Sequence, residues 1–129
     1  MYGFGVRVSM TFDDAILKVS HCLKEEGFGI LSDIDVQATL KARLGVDRRP
    51  YRILGACNPS FARQAIEIDP DIGLLLPCNV LVREEDDGGV SVSFMDPISV
   101  LGLVDHPDMP AIAAAVRERL DRVRDGLSA

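Results

Sequence analysis

Along the first residues, Phe4, Val6, Val8 and Met10 alternate with Gly5, Arg7 and Ser9. That period of two predicts a half-buried strand. From about Phe12 to Glu26 the period lengthens, and Phe12, Ala15, Ile16, Val19 and Leu23 share one face of a helix. Thr11 fits its N-cap, Asp14 suits its positive start, and Gly27 fits its stop. Cys22 falls at the edge of the apolar stripe and His21 on the solvated side. Phe28 to Ile34 reads as a second strand. Asp35 then caps a short helix, Val36 to Leu44, whose Val36, Leu40 and Leu44 lie one turn apart; Gly45 ends it.

A polar loop, Asp47-Arg48-Arg49-Pro50, leads into a third strand, Tyr51 to Cys57. Asn58 caps the next helix and Pro59 takes its first position, where the missing N–H costs nothing. Phe61, Ala62, Ala65 and Ile66 give that helix its apolar side, and Asp69-Pro70-Asp71 breaks it. Ile72 to Glu84 reads as a long fourth strand interrupted by Pro77, which points to an edge or a bulge. The acidic run Glu84 to Asp87, followed by Gly88, reads as a solvated hairpin tip before a fifth strand, Val90 to Met95. Ile98 to Val104 reads as an irregular apolar crossing. The last helix, about Pro110 to Gly126, buries Met109, Ile112, Val116, Leu120 and Val123. Its wet side carries Arg117, Glu118, Asp121, Arg122 and Asp125. The order β-α-β-α-β-α-β-β-α predicts an α+β fold: a twisted, mainly antiparallel sheet of about five strands with its longer helices on one face.

Composition narrows this little. The 129 residues suit a single domain, 1–129, and 47% hydrophobic with 26% charged residues is ordinary globular usage. A net charge of −6 disfavours nucleic acid, whose binding rests on phosphate neutralisation. Arg48, Arg49 and Arg52 form the only compact basic cluster. No apolar run approaches the ~20 residues of a membrane span. Three widely spaced cysteines and no leader-like N-terminus lead us to expect a soluble cytoplasmic protein with reduced thiols.

Two near-twin phrases carry the candidate chemistry: Gly55-Ala56-Cys57-Asn58-Pro59 and Leu76-Pro77-Cys78-Asn79. Cys57 directly precedes a helix N-cap, and free N–H groups there favour a thiolate. The effect is ~0.3–1 kcal/mol against ~1.4 kcal/mol per pKa unit, so a reactive thiol needs a further cation, Arg52 or His106. Equally, free cysteine packs as a small buried hydrophobe. The functional readings of Cys57 and Cys78 are thiol redox, a soft metal or a small ligand. Two thiolates are too few for a closed zinc site, unless a symmetric dimer shares it. Asn58 and Asn79 read as backbone partners, cap and bulge, or as ligand contacts. His106 stands in a Pro-bounded loop with Asp105 and Asp108, either as surface decoration or as part of the site. Asp33 and Asp35 share a face, but Asp35 is accounted for as a cap. No dinucleotide fingerprint, phosphate loop, HExxH, CxxC or nucleophile elbow occurs, so no cofactor and no metal is assigned.

Tyr51-Arg52-Ile53-Leu54-Gly55-Ala56-Cys57-Asn58-Pro59 and Asp71-Ile72-Gly73-Leu74-Leu75-Leu76-Pro77-Cys78-Asn79-Val80 resemble the core of the bacterial and archaeal "domain of unknown function 302" family. The turn Lys24-Glu25-Glu26-Gly27-Phe28-Gly29 and Met95-Asp96-Pro97 also fit. The resemblance implies a compact α+β fold and a homodimer. It implies no activity and no catalytic residues; Cys57 and Cys78 match the pattern, and Cys22 lies outside it. The leading expectation is a small binding or accessory protein that uses the Cys57–Cys78 region for a small ligand, a metal or redox sensing. The alternatives are a homodimeric interaction module without a small-molecule site and an enzyme of unknown class.

Overall fold

The computed structural model describes residues 1–128. Five strands, β1 (Gly3–Val8), β2 (Gly29–Asp35), β3 (Tyr51–Cys57), β4 (Cys78–Glu84) and β5 (Val90–Met95), form one open sheet in the order β1-β5-β4-β3-β2. Every neighbouring pair is antiparallel. Five helices accompany them: α1 (Phe12–Glu25), α2 (Val36–Leu44), α3 (Pro59–Ile68), α4 (Pro97–Leu101) and α5 (Met109–Leu127).

The register sets the layers. Across the ladder Phe4, Phe94, Val80 and Leu54 stand in line, as do Val6, Val92 and Val82. Cross-strand partners share a face, so these residues make one apolar surface. Helices α1 and α5 pack on that surface and on each other. Val19, Leu23 and Leu120 meet Val80, Val82, Val92 and Phe94 in a core that excludes solvent.

Local chemistry explains the boundaries. The Thr11 side chain accepts from the Asp14 N–H at 3.1 Å, so α1 has its cap. At the other end Gly27 takes φ +88°, in the left-handed region that glycine tolerates. The Gly27 N–H then donates to Lys24 O and the Phe28 N–H to Leu23 O, a Schellman closure. Asp35 caps α2 through the Ala38 N–H at 2.9 Å. The hairpin tip is tied down more than a solvated loop: Arg7 bridges Glu85 and Asp87, both at 2.7 Å.

Four expectations change. The apolar run at Ile72 is not strand; Pro70–Leu75 is a 3-10 helix capped by Asp69, and β4 starts only at Cys78. Pro77 therefore precedes the strand, after a cis peptide bond, and neither Pro77 nor Asn79 marks a bulge. The bulge lies in β2, between Ile30 and Ser32. The supposed irregular crossing contains α4, too short to show a period, with Asp96 as its cap. Arg117 leaves the wet side of α5: it pairs with Asp96 at 2.8 Å and lies 3.7 Å over the Phe4 ring.

Candidate functional site

β3 and β4 are neighbours, and their register pairs Ala56 with Cys78. Cys57 is thus one residue beyond, a diagonal neighbour of Cys78, and alternation along the strand turns its Cβ away. At this end of the sheet Pro59 starts α3, and α5 crosses nearby. The space between them is an apolar cleft walled by Phe28, Phe61, Pro77, Leu101, Ile112 and Val116, with Cys57, Asn58 and Cys78 at its sheet side. Its cavity volume is about 30 Å³, room for a water or two. Cys78 is buried and Cys57 half-buried, and neither is in a disulfide.

One backbone oxygen ties the walls together. Glu26 O, at the end of α1, accepts from Asn58 Nδ2 at 3.3 Å and from Arg119 Nη1 at 3.1 Å. Arg119 also lies over the Phe61 ring, 5.3 Å from its centroid. Asn58 therefore satisfies a backbone group as expected, but it is a carbonyl of α1; its side chain makes no cap bond to α3. The C-terminus of α1, the N-terminus of α3 and the middle of α5 are clamped at one point beside the cleft.

Residues 4–127 match the family described as Domain of unknown function DUF302. The chain belongs to this family. The crystal structure of the uncharacterized conserved protein DUF302 from Bacillus stearothermophilus has the same fold: TM-score 0.90, 30% identity, 98% of each chain covered. No curated protein matches the chain.

The thiols of this DUF302 chain are not activated. Burial pushes the Cys57 thiol above its ordinary value. Burial, and then the neighbouring charge of Cys57, pushes Cys78 up to about 11. Desolvation disfavours the thiolate more than a helix terminus can favour it. The two cations considered from the sequence do not help. Arg52 is committed to Asp33, with its Nε 3.0 Å from the carboxylate. His106 lies elsewhere, its Nδ1 accepting from the Asp108 N–H at 3.1 Å.

Of the five candidate residues, the fold brings Cys57, Asn58 and Cys78 to the cleft. Asn79 is exposed, in register with Gly55, and does not line it. His106 lines two adjoining grooves near the start of α5. Sequence reasoning missed the far wall: Ile112 and Val116 showed only as a core stripe, and Phe61 as one apolar position among four. The three helical residues gave no sign that they would face the cysteines. Among the described residues, no group of three or more His, Cys, Asp or Glu could hold a metal ion. No helix is long and apolar enough to cross a membrane.

Proposed function

We propose that this DUF302 chain is a small-molecule binding protein whose cleft takes the apolar end of an uncharged ligand, with Cys57 and Cys78 as neutral, polarisable wall atoms. One observation carries this reading: an apolar cleft is lined by two thiols, Cys57 and Cys78, that burial pushes above their ordinary value. A protonated thiol is a weak hydrogen-bonding group and a soft contact, suited to apolar surface. The same observation weighs against the rival roles of the pair. A nucleophile or redox pair needs accessible thiolate. A closed zinc site needs four deprotonated or neutral donors, and the cleft offers two protonated thiols.

The test is thermal unfolding with small uncharged probes that end in a methyl group, from methanol to propanol. A probe at about 100 times its Kd adds about 2.7 kcal/mol to the folded state. The account predicts a concentration-dependent rise in Tm that is lost in Ala62→Leu, which fills the cleft from α3 and keeps a good helix former. It fails if no probe raises Tm, or if Ala62→Leu responds as the parent does.

A second reading, a homodimer, has its own support. All seven residues of the edge strand β2 are exposed, and α2, which follows it, buries nothing. Leu31, Ile34 and Leu44 are 71%, 50% and 69% exposed. An exposed apolar edge invites pairing unless something covers it. A second copy laid over β2 and α2 removes that surface from water. Light scattering on the protein and on Ile34→Glu/Leu44→Glu checks this. The expected result is a dimer that the double substitution turns into a folded monomer. A monomer at all concentrations, or a dimer indifferent to the change, contradicts it.

A further inference from the structure

Two grooves, of about 500 and 440 Å³, flank the segment between α4 and α5. Both are lined by Val104, Asp105 and His106, so they adjoin along that segment and make a two-part furrow. One half is walled by α4 and the start of α5, the other by the end of α3 and the 3-10 helix. Large apolar side chains stand exposed along the furrow. Leu74 is 88% exposed, Leu103 75% and Ile98 50%. Scattered apolar residues on a surface need no explanation, but a contiguous apolar groove marks an interaction site.

The charges choose the partner. Asp69, Asp71 and Asp105 line the furrow, and no Lys or Arg does. Elsewhere the chain pairs its acids repeatedly with arginine, as at Glu85, Asp96, Asp121 and Glu26. Among the described residues, none of these three carboxylates has a Lys or Arg within ion-pair distance. A row of unpaired acids repels nucleic-acid phosphates and the anionic headgroups of a membrane. It favours and steers a cationic partner. We infer that this furrow docks a cationic amphipathic helix of another protein, its apolar side chains on Leu74, Leu103 and Val104 and its lysines or arginines over Asp69, Asp71 and Asp105. The docking mode is helix in groove, in which apolar anchors give affinity and the charged rim sets partner choice. The furrow meets the thiol cleft only at Leu101, so this inference stands apart from the proposed function.

The probe is a fluorescently labelled synthetic amphipathic helix of leucine and lysine, with a leucine and glutamate version as its counterpart. Binding is read by anisotropy on the whole protein. The lysine probe binds and the glutamate probe does not. Leu74→Ser/Leu103→Ser, both at exposed positions, weakens binding at least about tenfold. Asp69→Asn/Asp71→Asn/Asp105→Asn does the same and lowers the salt dependence; Asn still caps the 3-10 helix in place of Asp69. A control with the same charge change elsewhere, Asp13→Asn/Asp86→Asn/Asp125→Asn, leaves affinity within about twofold. The inference is overturned if the lysine probe does not bind at about millimolar protein. It is equally overturned if the control weakens binding as much as the furrow variants do, or if the serine variant binds unchanged.

Discussion

Cys78 is the residue at which burial and chemistry meet. Its thiol is held protonated up to about 11, against an ordinary 9.0, first by burial and then by Cys57. Below 9.0 both the folded and the unfolded chain keep the proton, so the full stability is present there. Between 9.0 and about 11 the unfolded chain loses its proton while the folded chain retains it, and stability falls as pH rises. By linkage the loss is on the order of 3 kcal/mol, levelling off above the folded value. Denaturant melts across that range should show the decline, and Cys78→Ala should flatten most of it. The residue slope left in the variant belongs to Cys57 and Cys22, whose thiols burial also raises. A parent curve as flat as that of the variant contradicts the burial argument.

At the scale of elements, the junction of α1, α3 and α5 turns on Gly27. Its φ of +88° costs any other residue about 1–3 kcal/mol. A Cβ there stands 3.1 Å from Asn58 Nδ2, against the bond that joins α3 to Glu26 O. Gly27→Ala is expected to destabilise by about 1–3 kcal/mol in urea unfolding. Gly73→Ala, with nothing within 4 Å of the added Cβ, should change stability by less than about 0.5 kcal/mol. Equal effects at the two glycines sink this account of the clamp. Gly27 and Thr11 were legible because caps are local chemistry, written in a few adjacent residues. The 3-10 helix at Pro70–Leu75 was misread because Ile72, Leu74 and Leu75 form a short apolar run without a decisive period. Asp69 before Pro70, a cap followed by a first-position proline, was the signal that distinguished the two. Asn58 had the spelling of a cap but found a better acceptor on another helix, a choice that only tertiary structure makes.

At the scale of the molecule, the strand pattern and the Asp-Gly hairpin carried the antiparallel sheet, and the long stripes of α1 and α5 carried its cover. The cleft was half legible. Cys57 and Cys78 line one cleft because β3 and β4 are adjacent, a placement that two similar phrases at strand ends suggested. Its opposite wall comes from α5, more than fifty residues along the chain from Cys57, and no local pattern encodes that crossing. The same distance explains why the helix start beside Cys57 does not yield a thiolate. A helix N-terminus is visible in sequence, whereas the hydrocarbon that desolvates the sulfur is assembled only by folding.

The most direct measurement of the central claim is the ultraviolet absorbance of thiolate in the native protein as pH is raised. The cleft predicts no appreciable thiolate from Cys57 or Cys78 at neutral pH, midpoints for both above the ordinary 9.0, and a last thiol titrating near 11 that disappears in Cys78→Ala. A thiolate at neutral pH that is lost on replacing either cysteine would contradict it, and would return the pair to nucleophilic, redox or metal chemistry.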